Sequence, residues 1–213
     1  MPQATFFNLP EEKRNRILEH ATDEFYEKGY AKASISRIVQ KSKIAKGSFY
    51  QYFDDKKDLY KYLIDVTGQK KAEYLLDYDQ EFASKPFFEF MNALYVSGLQ
   101  FAVEHPKMVT IISELMVIQD HELKKYVLGD NNAKGNDFIQ NLLQGAHAKG
   151  ELREGLDLDF TSHIMIAMNQ AMAEYFYKAG DIKDSIDGYE LLAEKMLDIL
   201  KNGIYKEPEK RNE

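Results

Sequence analysis

Cysteine and tryptophan are missing from the 213 residues. Without thiols there is no disulfide scaffold, no thiolate zinc site and no cysteine nucleophile. Proline (5) and glycine (12) are scarce, which excludes collagen-like and long proline-glycine-rich disordered chains. No uncharged apolar run reaches the ~18 residues of a membrane-spanning helix, so no membrane partner is expected. The opening MPQATFFNLPEEKR has no basic stretch followed by an apolar core, so no secretory leader is expected and the cytoplasm is the expected location. Patterns of catalysis are missing too. The five histidines form no His-x-x-x-His or Glu-x-x-His pair, no Gly-x-Ser-x-Gly elbow occurs, and the spaced glycines 145 and 150 are followed by Glu151 rather than lysine. Metal, cofactor and enzyme readings are therefore not expected.

What is present is a normal globular balance, 44% hydrophobic and 30% charged, enough apolar matter for a real core. The net charge of −7 is uneven. Residues 1–62 carry 12 basic and 9 acidic side chains, and residues 63–213 carry 16 and 26. Within residues 32–62 the balance is 8 to 3. A basic end on an acidic body suggests a polyanion partner for that end alone, although an excess this small also arises by chance.

Apolar spacing is helical throughout, with no strand alternation and no internal repeat. Pro10 opens a helix over about 10–28 that Gly29 can close, and Ile17, Leu18, Ala21 and Phe25 form its inward stripe. Ser34 can cap a short helix, a turn follows, and a second short helix covers about 45–52. Asp54 or Asp55 can cap a long helix to about residue 80, with a kink possible at Gly68. Pro86 and Pro106 start two more, a short helix covers 120–128, and Asp130 and Asn131 begin one that ends at Gly150. Asp157 or Asp159 starts a helix ending near Gly180. Asp184 or Ser185 starts the last, ending at Asn202-Gly203, before a frayed tail. About nine helices and an all-α fold follow: an N-terminal three-helix helix-turn-helix domain over 1–55 and a helical bundle over 56–213.

The informative segment is SISRIVQKSKIAKGSFYQYF, residues 34–53. Two short helices joined by a tight turn suggest a helix-turn-helix, whose second helix enters the major groove of double-stranded DNA while the first braces it. Ile38, Val39, Ile44, Phe49 and Phe53 supply the packing. Gly47 and Ser48 are small where a backbone must approach phosphate. Lys46, Ser48, Tyr50 and Gln51 are donors in the first turns, Ser34, Ser36 and Arg37 open the bracing helix, Lys43 adds a cation in the turn, and Lys56 adds one at the next helix start. Gln51 can pair with adenine or simply be solvated, Tyr50 and Tyr52 can contact phosphate or pack, and Lys57 and Lys61 read as a solvated face.

Residues 10–62 resemble the DNA-binding domain of the tetracycline-repressor family. The resemblance runs through ILEHATDEFYEKGYAKASISRIVQKSKIAKGSFYQYFDDKKDLY: the Gly-Tyr after the first helix, the serine opening the second, Lys-Gly-Ser-Phe-Tyr in the third, and Phe then Lys-x-x-Leu into the fourth. Beyond that stretch only length, helix count and a Gly150-to-Arg153 loop are similar. There are two departures. Ser42-Lys43 stands where the family has a small residue and glycine, so lysine would sit in a left-handed turn at up to about 1 kcal/mol. Ala45 stands where a serine or threonine cap is usual and cannot cap.

The resemblance implies a dimeric, ligand-responsive transcriptional regulator, most often a repressor, with Tyr50 on a phosphate. The alternative is a helical interaction module or architectural DNA-binding protein without a ligand. Seven of eight methionines follow residue 90, with many aromatics, as in an ordinary core or as in a deformable apolar pocket. With the resemblance, Tyr95, Met116, Phe138, Met168, Asn169 and Tyr175 are candidates for holding a small apolar or amphipathic effector. FTSHIMIAMNQAMAEYFYKA is apolar on two sides: Ile164, Ala167, Met168, Ala171 and Tyr175 on one, Met165, Met172 and Phe176 on the other. With the last helix it could form a four-helix bundle across a homodimer axis, or be buried within one chain.

Overall fold

A computed structural model describes residues 1–76, 85–178 and 186–203. Among them the chain is all helical, without a strand. Ten helices follow one another: α1 (Ala4–Phe7), α2 (Glu11–Lys32), α3 (Ile35–Lys41), α4 (Lys46–Phe49), α5 (Lys56–Leu76), α6 (Phe87–Glu104), α7 (Pro106–Val117), α8 (His121–Ala148), α9 (Leu158–Lys178) and α10 (Ile186–Asn202).

Several boundaries follow from local chemistry. The Asp55 side chain accepts the Asp58 N–H at 2.8 Å and Asp58 returns the favour to the Asp54 N–H at 3.2 Å, a reciprocal cap that starts α5. Asp157 accepts from the Phe160 N–H at 3.0 Å and starts α9. Gly203, at φ 69°, follows the end of α10. Asp184, Ser185, Gly180, the far end expected for α5 and the tail from residue 204 lie outside the described residues, so the expectations made there are not tested.

The helices differ from expectation in four places. The short helix 120–128 and the start at Asp130-Asn131 are one continuous α8, capped by Asp120, which accepts from the Leu123 N–H at 2.9 Å. A polar pair reads as a break by propensity alone, and tertiary packing overrides so weak a preference. α1 was not expected. It buries Phe6 against Phe53 and Tyr62, with centroids at 4.8 and 5.5 Å. The second short helix spans four residues rather than eight, and α5 continues through Gly68.

Two apolar cores form. One gathers Ile17, Phe25, Ile38, Phe49, Phe53 and Tyr60 from the N-terminal helices with Ile111 and Leu115 of α7 and Leu123 and Val127 of α8. The other gathers Met91 and Tyr95 of α6, Leu143 of α8, Met165 and Met172 of α9, and Met196 of α10. The two-sided helix α9 is covered on one side only. Met165 and Met172 are buried, while Phe160, Ile164, Ala167, Ala171 and Tyr175 are exposed at helical spacing. On α10, Leu191 and Ile199 are exposed in the same way.

Candidate nucleic-acid interface and ligand cavity

The α3–α4 unit is closed by backbone geometry. At the end of α3, the Ile44 N–H reaches the Val39 carbonyl at 3.0 Å and the Lys43 N–H reaches Gln40 at 3.2 Å. This is the Schellman pattern, and Lys43 occupies its left-handed position at φ 54°, the one non-glycine residue with positive φ among those described. The end of α8 makes the same pair of bonds, Glu151 to Ala146 and Gly150 to His147, with glycine in the left-handed place. Lysine at 43 therefore takes a conformation that costs about 1 kcal/mol more than glycine would, and its exposed side chain is carried on the turn. Arg16 braces the same turn, its Nε donating to the Ser42 carbonyl at 3.1 Å.

α4 is too short to be stable alone. Its cap residue, Ala45, has extended backbone and no side-chain bond, as expected. What holds it is Phe49, fully buried against Phe53 (centroids 5.5 Å) and edge-on to Tyr50 (5.3 Å). Everything else on the tip faces out. Lys43, Lys46, Gly47, Tyr50 and Gln51 are exposed and Ser48 is half-buried. A Cβ added to Gly47 would meet nothing within 4 Å, so no contact inside the chain requires glycine there. Tyr52, by contrast, is buried and packs.

The bracing helix is set by a polar junction. Glu24 is 1% exposed. It accepts from the Ser34 N–H at 2.9 Å and from Nε and Nη2 of Arg37 at 2.8 and 2.6 Å. Burial alone pushes the Glu24 pKa up, but the hydrogen bonds from Arg37 and Ser34, with the charges of Arg37 and Lys41, outweigh it and leave the carboxyl below its ordinary value. This junction stabilises the fold above the ordinary carboxylate range and weakens as pH falls through the depressed value. Ser34 stands at the cap position but makes no side-chain cap bond; its contribution is the backbone N–H. The Arg37 Nη2 also donates to the Lys32 carbonyl at 2.9 Å, and Ser36 is exposed.

Lys56 is placed differently from the phosphate contact expected of it. Its Nζ donates to the carbonyls of Tyr30 (2.7 Å), Ala31 (3.3 Å) and Ala33 (3.2 Å) and lies 4.6 Å from the Tyr30 ring centroid. It neutralises the carbonyl end of α2, where a cation is favoured. Burial lowers its pKa, and Glu24 partly offsets that. Lys57 and Lys61 are not a solvated face either: the Lys57 Nζ sits 4.4 Å from the Tyr126 ring centroid, and Lys61 is buried beside Asp65.

A cavity of about 440 Å³ opens among α5 to α9, within the size range of small-molecule sites. Of the residues proposed to hold an effector, Tyr95, Met116, Phe138 and Asn169 line it; Met168 and Tyr175 do not. Met168 packs on the second core and Tyr175 is exposed. Both sit on α9, where a step of one residue turns the side chain by about 100°. Sequence reasoning missed Lys71, Ser113 and Gln170, which also line the cavity with Met91. Inside it, the Tyr95 hydroxyl donates to Asn169 Oδ1 at 2.6 Å.

One helix separates this cavity from the N-terminal helices. On α7, Ile111 and Leu115 are buried in the first core, while Ile112, Ser113 and Met116 line the cavity. The Tyr60 hydroxyl of α5 donates to the Ile111 carbonyl at 3.4 Å, and Lys107 pairs with Asp23 of α2 at 2.6 Å. Burial and the nearby Glu114 carboxylate raise the Tyr60 pKa well above the ordinary value.

Among the described residues no three His, Cys, Asp or Glu gather to hold a metal, and no helix is long and apolar enough to cross a membrane. Residues 17–63 match the family described as bacterial regulatory proteins, tetR family. An uncharacterized HTH-type transcriptional regulator of Bacillus subtilis, YvdT, is 25% identical over 84% of this chain and 89% of its own. A solved TetR family transcriptional regulator from Chloroflexus aurantiacus is 29% identical, with a TM-score of 0.64 over 95% of this chain and 98% of its own. The transcriptional regulator FadR from Bacillus subtilis, solved in complex with stearoyl-CoA, shares the fold at a TM-score of 0.73, with 17% identity over 90% of this chain and 99% of its own.

Proposed function

Because the chain belongs to the tetR family of bacterial regulatory proteins, we propose that it acts as a homodimeric repressor, released from a palindromic operator when a small apolar or amphipathic molecule fills the cavity. It is a transcriptional regulator and not an enzyme. In this reading residues 1–55 engage DNA, and residues 56–213 sense the effector and dimerise.

The observation that carries the DNA-binding part is the tip of α4. Two lysines, a tyrosine and a glutamine are exposed around a glycine, on a helix anchored by a buried phenylalanine. Lys43 and Lys46 make no ion pair among the described residues, leaving both free for phosphate. The uncovered stripe of α9, with Leu191 and Ile199 of α10, supports the dimer, since an exposed apolar face of this kind marks an interaction surface. Two-fold symmetry then requires half-sites about 34–36 Å apart or a longer multiple. The cavity supports the effector, and FadR, a chain of this fold, was solved with a long acyl chain on a polar carrier. α7 supports the coupling, because filling one of its faces must disturb the other. A differential of about 1–3 kcal/mol between the two states gives a 5–150-fold change in operator affinity.

The test is salt. Duplexes selected from a random pool are titrated at several ionic strengths, with the wild type, Lys46→Ala and Gln51→Ala. Lys46→Ala should weaken binding to every sequence and lower the slope of log affinity against log salt by about one phosphate's worth; Gln51→Ala should relax preference at one base pair. Equal, salt-independent losses from both would refute the assignment.

Gly47→Ala separates folding from binding. Alanine is favoured over glycine in a helix by about 0.5–1 kcal/mol, and the new methyl meets no atom of the chain. The variant is expected to melt slightly higher yet bind duplex at least roughly tenfold worse, since about 1.4 kcal/mol of lost phosphate approach suffices. Unchanged affinity in a gel-shift titration would mean that this backbone does not approach the duplex.

A further inference from the structure

We propose that the cavity takes an apolar chain ending in a carboxylate, and that Lys71 of α5 is the counter-ion of that head group. This rests on the reading of the cavity as the effector site and adds the sign and position of the ligand's charge. Among the described lining residues Lys71 is the one charged side chain. Among the described residues it has no ion pair or hydrogen bond, and no carboxylate lines the cavity with it. Much of the wall is Met91, Leu94, Ile112, Met116, Phe138 and Ile139, which suits an alkyl chain.

The polar pair inside the cavity does not ask for a head group. Tyr95 and Asn169 satisfy each other at 2.6 Å, and the Asn169 Nδ2 donates to the Met165 carbonyl at 3.0 Å. Lys71 is the group left wanting a partner. Its side chain is exposed, as a group that must receive a ligand has to be. A bound carboxylate would pair with this ammonium through a charge-assisted hydrogen bond.

The test compares three probes of one chain length by calorimetry: decanoate, decanol and decyltrimethylammonium. Decanoate should bind about tenfold to a hundredfold tighter than decanol, and the cation weakest. Lys71→Met should remove the preference for decanoate while keeping decanol binding, which also reports an intact cavity; Lys71→Arg should keep the preference. If decanol matches decanoate in the wild type, or Lys71→Met leaves the preference in place, the assignment of Lys71 is wrong although the cavity still binds ligand. If none of the three binds, the effector-site reading fails with it.

Discussion

Phe49→Ala will cost about 3–5 kcal/mol, a large part of the ~5–15 kcal/mol that separates folded from unfolded domains. The ring is fully buried and is the anchor of a four-residue helix that has no capping side chain. Truncation leaves a void facing Phe53, and no neighbouring element on the solvent side can collapse into it, because Lys46, Gly47 and Tyr50 are exposed. Tm should fall by roughly 10 °C or more for a chain of this size, and duplex binding should be lost well below that temperature, since the donors of α4 have no other support. Tyr50→Ala is the control. That ring is 51% exposed, so its removal should leave Tm nearly unchanged while weakening binding. A Phe49→Ala protein that melts with the wild type would show that something other than this ring holds the tip.

The DNA-facing end was legible because its signals are local. The left-handed place of Lys43 follows from the glycine that the resemblance puts at that position, the cap at Asp55 from an aspartate before a helix, and the burial of Ile38, Phe49 and Phe53 from the packing a helix-turn-helix needs. Lys56 was misplaced for the opposite reason. Its partners are the carbonyls of Tyr30, Ala31 and Ala33, more than twenty residues earlier in the chain, and a lysine at a helix start gives no sign of a nest formed elsewhere. α1 lacks caps and amphipathic length, so only the pocket made for Phe6 by Phe53 and Tyr62 reveals it.

The cavity was half legible. Methionines and aromatics mark a deformable interior, and four of the six expected lining residues reach it. Lys71 carries no such mark, because an exposed lysine on a long helix gives no sign that a cavity opens beside it. The long helix α5 also runs between the two ends, with Leu59 and Leu63 in the first core and Lys71 on the cavity. α7 offers a shorter route, since its two faces touch both within a single turn.

Gly29 is where that route meets the DNA-facing helices, and Gly29→Ala should show it. The residue interrupts α2 at φ 67°, ψ 164°, a region of backbone space that is essentially glycine's alone and costs other residues about 1–3 kcal/mol. The turn it makes presents the carbonyls of Tyr30, Ala31 and Ala33 to Lys56 and leads the chain into α3. It also lets Glu114 of α7 lie so close that an added Cβ would sit 2.3 Å from its Oε1. That carboxyl is half-buried, and burial raises its pKa. Alanine at 29 therefore strains the backbone and pushes Glu114 aside. Urea denaturation should show a loss of about 1–3 kcal/mol, with weaker duplex binding because α3 enters at a different angle. Adding Glu114→Ala should recover only the steric part, since the side chain's end can swing away while the backbone cannot, and the coupling between the two changes measures how firmly α7 grips the DNA-facing end. A Gly29→Ala protein within ~0.5 kcal/mol of the wild type would mean that the turn relaxes freely, and α7 would then have no rigid purchase through which a filled cavity could reach the operator.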